Sequence, residues 1–303
     1  MKCLVTGGAG FIGSHLVDRL LQIGQSVIAF DNFSTGQRRF LDSVRNDERF
    51  ELIEGDLLNE SQIGMAMQGV DFVWHLAANA DVRFGADQPR LDLEQNTIVT
   101  ANVLEAMRKN EVHQIAFSST GSIYGEASVI PTPEDCPMPV QTSLYGASKL
   151  ACEGMISAYC EGFDMQAWIF RFVSILGERY THGHIIDFYE KLRANPKRLH
   201  ILGNGQQKKS YLYIHDCLDA MFTAVESATG FINILNLGTD EYVEVNDSVE
   251  LITQHLQLNP KRTYAGGERG WIGDNPFIFL DCGQMRGLGW SPRYSIRDAI
   301  LAT

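Results

Sequence analysis

The sequence has no apolar stretch long enough to span a bilayer and no basic run longer than two residues. The first absence predicts no membrane-spanning role. The second, with 25 Lys and Arg against 37 Asp and Glu and a net charge of −12, leaves nucleic-acid binding without an electrostatic footing. Cysteine is sparse: the six stand at 3, 136, 152, 160, 217 and 282, without a CxxC pair or a Cys/His ligand spacing. That scatter predicts reduced thiols in a cytoplasmic protein and no metal site. Cys152 and Cys160 fall on one expected helix and read as small buried apolar residues. Proline is also rare, nine in all, yet four of them lie between Pro131 and Pro139, which predicts an irregular surface loop. No repeat or low-complexity tract interrupts the chain. What remains is 303 residues that are 45% hydrophobic, enough for one large α/β domain or two interlocked ones.

The first thirteen residues organise the rest. Cys3, Leu4 and Val5 form an apolar run that stops at Thr6-Gly7-Gly8-Ala9-Gly10-Phe11-Ile12-Gly13, and apolar residues then recur at helical spacing at Ile12, Leu16 and Leu20. A buried strand, a tight turn and a helix in that order make a dinucleotide-binding unit, with glycines letting the backbone approach a pyrophosphate at the helix N-terminus. Because the chain starts on this unit, no signal peptide is expected. A second apolar run, Ser26 to Phe30, ends at Asp31, eighteen residues beyond Gly13. An acidic residue there accepts the ribose hydroxyls and repels a 2′-phosphate, which favours NAD over NADP.

Further strands are expected at Phe50–Ile53, Val70–Leu76 and Val112–Phe117, with a long helix over Leu91–Arg108. Strands alternating with helices predict an α/β fold: a Rossmann-type doubly wound parallel sheet, with ligands at the carboxyl ends of its strands. Asn32, Ser34, Thr35 and Gly36 follow the second strand, Asp56 and Leu57 the third, and Leu76, Ala77 and Ala78 the fourth. His75, inside the fourth strand, reads as a satisfied core histidine. We expect residues 1–171 to form the NAD-binding domain, with later segments returning to it. Residues 172–303 should mainly form a smaller C-terminal substrate-binding domain.

Two segments carry reacting groups. Ser118 to Gly125 leaves the fifth strand, and Tyr145 and Lys149 stand four residues apart, on one face of the next helix. A lysine ammonium beside a phenol is expected to lower its pKa from about 10 toward neutrality and make it a general base.

These residues, with Asn96, Arg171 to Gly177, Leu202 to Gln207, Tyr213 to Asp216 and Gly273-Asp274, make the chain resemble the extended short-chain dehydrogenase/reductase family, in its nucleotide-sugar epimerase/dehydratase branch. The resemblance covers nearly the whole chain. It implies Tyr145 as acid/base, Lys149 on the nicotinamide ribose and Thr120 at the substrate hydroxyl. It also implies Asn96, Ser118 and Phe172 as cofactor contacts. Dehydratases of the family place Asp-Glu after that threonine, uronate decarboxylases a Glu at the second position, and 3,5-epimerases a Cys near it; here the pair is Gly121-Ser122. The resemblance therefore implies a 4-epimerase acting through a keto-sugar.

At the substrate end it implies Val82, Arg83, Ser122, Ser174, Arg179, His184, Lys209, Tyr211, Arg269 and Asp274 as nucleotide-sugar contacts, with Lys208-Lys209 in the place of a family arginine. Ser174 followed by Arg179 resembles members that accept glucuronate, whereas the His184 to Tyr213 pattern resembles galactose-type members. The expected substrates are accordingly UDP-glucuronate and UDP-glucose/galactose. His182-Gly183-His184 reads as a pocket-lining loop rather than a metal site. A homodimer is expected through the helix before the fifth strand and the Tyr145 helix, where Leu150, Met155 and Ile156 supply apolar surface. Two other readings use the same residues: an oxidoreductase that releases NADH, and a non-catalytic NAD-binding sensor. Retention of both Tyr145 and Lys149 argues against the sensor.

Overall fold

The computed structural model describes residues 1–79, 87–138, 140–270, 275 and 277–303. The first half runs β1 (Lys2–Thr6), α1 (Phe11–Gln22), β2 (Ser26–Asp31), β3 (Phe50–Glu54), α2 (Glu60–Ala66) and β4 (Phe72–His75). It continues through α3 (Pro89–Asp92), a π turn over Leu93–Ile98 and α4 (Val99–Lys109) to β5 (Gln114–Thr120), α5 (Leu144–Phe163) and β6 (Gln166–Phe172). The second half holds β7 (Ser174–Leu176), α6 (His184–Ala194), β8 (Arg198–Ile201), β9 (Lys208–Lys209), β10 (Tyr211–Tyr213), α7 (Ile214–Ser227) and β11 (Ile232–Leu237). Then come β12 (Val243–Glu244), α8 (Val245–His255), β13 (Lys261–Tyr264), α9 (Gly283–Gly287) and α10 (Ile296–Ala302).

Seven strands form one parallel sheet in the order β11-β6-β5-β4-β1-β2-β3. The order reverses direction between β1 and β4, the switch point outside which ligands gather. Alternate side chains feed two cores, as expected for a sheet covered on both faces. Cys3, Val5, Phe72, Trp74 and Trp168 fill one side. Leu4, Ile28, Val73, Ile115, Phe117 and Ile169 fill the other. The uninterrupted apolar runs read from the sequence are the consequence.

The parallel sheet agrees with the expectation; several boundaries do not. The long helix expected over Leu91–Arg108 is present but carries the π turn, which hydropathy does not reveal. β5 extends to Thr120, so that threonine ends a strand. β11, drawn from the second half, pairs with β6 as the outer strand of the main sheet. Around it the second half builds three two-stranded pairs, β7 with β10, β9 with β12 and β8 with β13. The proline-rich stretch is irregular, but Thr132 and Cys136 are buried, and Thr132 exchanges backbone hydrogen bonds of 2.8 and 2.9 Å with Phe279 and Asp281. Ile156 lies in the core, so of the three residues suggested for a dimer face only Leu150 and Met155 retain partial exposure. All six cysteines are free and buried, and among the described residues no helix is long and apolar enough to cross a membrane.

Candidate active site

A cleft of about 810 Å³ runs along the carboxyl ends of β1, β2, β4 and β5 and under the loops of the second half. At its floor the chain turns from β1 into α1. Gly7 takes φ +69°, and a Cβ on it would come within 2.9 Å of Ala77 Cα. A Cβ on Gly13 would collide with the Gly7 carbonyl. Only glycine permits these approaches. The result is a bare backbone cradle at the N-terminus of α1, the geometry that receives a pyrophosphate. Gly10, Phe11, Ile12, Leu76, Ala77 and Ala78 line the same stretch.

Asp31 ends β2 at the edge of this cradle. Its carboxylate accepts from Ala9 N at 2.9 Å and Phe33 N at 2.8 Å, which fixes its direction, while burial raises its pKa. Gly36 lies directly against that carboxylate, leaving no room for a side chain. Asn32, Ser34, Thr35, Asp56 and Leu57 complete this end of the cleft. His75 is fully buried, with Thr6 Oγ1 2.7 Å from Nδ1 and Thr100 Oγ1 3.0 Å from Nε2, so it is the satisfied core histidine expected.

Farther along, Ser118, Thr120, Ser122, Tyr145, Phe172 and Ser174 share the cleft wall. Thr120 arrives from the end of β5 and Tyr145 from the first turn of α5, which Ser143 caps by accepting from Gly146 N at 3.0 Å. A buried ion pair holds α5 to the sheet: Arg171 on β6 donates to both oxygens of Glu153 at 3.1 and 2.7 Å. Ser119 donates to the same carboxylate, and Arg171 also donates to the Tyr124 hydroxyl at 2.7 Å. Removing either charge would leave its partner buried and alone, at a cost of about 3–5 kcal/mol. This network therefore fixes where the Tyr145 phenol stands.

The electrostatics at Tyr145 differ from the expectation. Burial pushes its phenol up to about 12, against a hydrogen bond with Thr120 that favours the phenolate, and the nearby Asp92 charge pushes the same way as burial. Lys149 does not lower it. Its ammonium donates 2.8 Å to the Ser118 carbonyl and lies 4.6 Å from the Phe117 ring, and burial brings its own pKa down to about 8. Lys149 is 2% exposed and stands behind Tyr145, out of the cleft surface. Asn96 is buried likewise, its amide donating to Ser148 Oγ at 2.8 Å and its oxygen accepting from Asn79 N at 2.9 Å. It orders the wall rather than lining it.

At the far end, His184, Lys209 and Tyr211 line the cleft as expected. The Tyr211 hydroxyl sits 2.8 Å from the His184 ring nitrogens, and burial, assisted by the Lys209 charge, depresses the imidazole to about 3, so it is neutral. Lys209 and Lys208 point opposite ways along β9. Lys208 lies over the Tyr242 and Phe277 rings, at 4.9 and 5.6 Å.

Arg179 corrects the sequence reading. It is in the left-handed region at φ +64° and donates to Asp18 on α1 at 2.7 Å, so it points at the dinucleotide helix instead of the sugar. Arg269 pairs with Glu126 outside the cleft, whose wall is formed by its neighbour Gly270. Val82, Arg83 and Asp274 lie outside the described residues. Unforeseen wall residues include Tyr180, Asp187, Lys191, Gln207 and Asn275. The His182–His184 loop does line the pocket. Gly177 and Gly183, on either side of Tyr180, are both at positive φ.

Residues 3–238 match the model described as the NAD dependent epimerase/dehydratase family. A putative UDP-glucose 4-epimerase of Methanocaldococcus jannaschii is 31% identical over 302 residues, covering 98% of this chain and 95% of that one. Among solved structures, a UDP-galactose 4-epimerase is 37% identical, with a TM-score of 0.90 over 100% of this chain and 97% of its own. The UDP-glucuronic acid 4-epimerase of Bacillus cereus, solved with UDP-glucuronic acid and NAD, is 29% identical, with a TM-score of 0.91 at the same coverage.

Proposed function

The chain belongs to the NAD-dependent epimerase/dehydratase family, and from that premise we propose that it inverts carbon 4 of a UDP-linked hexose. One observation carries this reading. Thr120 and Tyr145 meet on the wall of a cleft whose other end is a glycine cradle, while Gly121-Ser122 beside them offers no carboxylate or thiol for elimination or decarboxylation. NAD is the family's cofactor, and the Gly7–Gly13 turn, Asp31 and the Leu76–Ala78 segment fit it. When bound, it supplies a hydride acceptor and donor whose positive ring favours a neighbouring phenolate.

The chain's own residues do the remainder. Tyr145 takes the proton from the sugar 4-hydroxyl and returns it to the re-formed hydroxyl, so no net acid or base is consumed. Thr120 orients that hydroxyl and hydrogen-bonds the phenol. Lys149 holds positive charge behind the tyrosine. Lys209, with Lys191 on the same wall, offers charge to a diphosphate, and the neutral His184–Tyr211 pair offers uncharged hydrogen-bonding groups.

Among the sugars, turning Arg179 onto Asp18 removes the cation proposed for a carboxylate on carbon 5. This supports a neutral hexose, UDP-glucose/galactose, over UDP-glucuronate. Incubating pure protein with UDP-glucose and with UDP-glucuronate and following the sugar protons by NMR tests it. The expected result is a UDP-glucose/UDP-galactose mixture without net NADH absorbance. Accumulating NADH would make the chain a net oxidoreductase, and preferential turnover of UDP-glucuronate would overturn the sugar assignment. The same reading includes a cytoplasmic homodimer joined through α4 and α5, where Leu144 and Phe163 on α5, and Ile98 just before α4, stand exposed; sedimentation showing only monomer at micromolar concentration would remove it.

A further inference from the structure

Behind Tyr145 and Lys149 lies a carboxylate that the reaction above does not use. Asp92 ends α3, which packs on α5, and is 1% exposed. Its Oδ1 accepts from Asn79 Nδ2 at 2.8 Å and from Asn96 Nδ2 at 3.4 Å, while its Oδ2 has no hydrogen-bond partner among the described residues. Arg90 and Glu94, on the exposed side of the same segment, pair with each other at 2.9 Å and supply no cation to it. From Asp92 the hydrogen bonds run on through Asn96 to Ser148 Oγ at 2.8 Å, and Ser148 Oγ donates to the Tyr145 carbonyl at 2.8 Å. They thus enter α5 between the two reacting residues. Asn96 sits in the π turn, the kind of local distortion that often marks a functional position.

Lys149 needs a counter-charge. Its ammonium is 2% exposed, and a carbonyl and a ring face do not neutralise it. The titratable groups around it are His75 on β4, Tyr145, Cys152 and Glu153 on α5, and Asp92 on α3. His75 is neutral and Cys152 is kept a thiol by burial. Glu153 is already engaged by Arg171 and Ser119. Among the described residues that act on Lys149, the one carboxylate not paired with a cation is Asp92.

We propose that Asp92 is a positioning residue of this active site: the buried counter-charge that keeps Lys149 an ammonium behind Tyr145. The inference rests on reading Tyr145 and Lys149 as the reacting pair. Burial lowers Lys149 to about 8, against the upward pull of Cys152, Glu153 and Asp92, and Lys149 in turn opposes the burial that raises Asp92.

The test is a titration of the full-length, NAD-saturated chain by carbon-13 NMR, reading Lys149 Cε, assigned by its loss in Lys149→Met. Asp92→Asn keeps the shape and the Asn79 and Asn96 contacts while deleting the charge, and should lower the Lys149 midpoint by about one pH unit. A midpoint equal to wild type in a folded Asp92→Asn overturns the proposal. Wild-type protein alone also decides, because Asp92 Cγ must report an ionised carboxylate at pH 7, and a protonated one there overturns the idea without any variant. None of these signals depends on turnover, so an active 4-epimerase can still fail them and a chain inactive on UDP sugars can still satisfy them.

Discussion

The two ends of the cleft are built from different material. The cofactor end is mostly backbone: two glycines, a helix N-terminus and the small residues after β4, with Asp31 buried at its edge. The proposed sugar end is side chain: His184 from α6, Lys209 and Tyr211 from neighbouring short strands, and Tyr180 from the connecting loop. A backbone site tolerates no added atom, whereas a side-chain site tolerates exchange and can change its ligand without changing its fold.

The sharpest way to separate the two ends is to remove the chemistry between them. Tyr145→Phe should lower kcat by about two to four orders of magnitude while NAD and UDP-sugar binding, read by calorimetry, stay near wild type. Retention of most activity would break the assignment of the phenol.

Acid should stress both ends through their buried histidines. His75 at the cofactor end and His184 at the sugar end are each depressed to about 3 by burial. Unfolded histidine titrates near 6.5, so below that pH the unfolded chain binds more protons and folding stability falls as pH drops toward about 3. Between pH 6.5 and 4.5 each histidine should cost about 2–3 kcal/mol. Replacing His184 with Gln should flatten the fall in denaturant midpoint by one histidine's share, and an unchanged slope would show that it is protonated in the folded state.

Gly13→Ala tests the claim that the cofactor end admits no added atom. Forcing a methyl against the Gly7 carbonyl should destabilise by about 1–3 kcal/mol and abolish co-purification of NAD. Wild-type NAD content in that variant would mean that the turn can relax.

The smallest effect is expected at Arg179, the residue on which sequence and structure part. Its pair with Asp18 is only partly exposed, so Arg179→Ala should cost about 1 kcal/mol in chemical denaturation. Turnover of UDP-glucose and UDP-glucuronate should fall in the same proportion. A selective loss with UDP-glucuronate would return the arginine to the sugar.

These contrasts explain what was legible. Strand runs, the glycine turn, Asp31 and the Tyr145–Lys149 spacing announce themselves because each is set by neighbours in sequence. The direction of Arg179 is not, since its partner Asp18 lies 161 positions away and the residue adopts a left-handed backbone that few side chains favour. The π turn at Asn96 was invisible for a related reason: one extra residue in a helical turn leaves the apolar pattern nearly intact. The phenol's pKa was misjudged because spacing put Lys149 on the same face as Tyr145 but could not say that its ammonium would turn to the Ser118 carbonyl.

The place of β11 carries a consequence for how this chain comes into being. β6 ends at Phe172, but the strand that covers its outer edge begins only at Ile232, so on the ribosome β6 is complete well before its neighbour exists. During that interval its outer row of amides and carbonyls, on a strand that includes Trp168, Ile169 and Phe170, stands open to any other extended chain. Synthesis that stalls in this window would leave a nascent chain with an almost finished cofactor cradle and an adhesive flank.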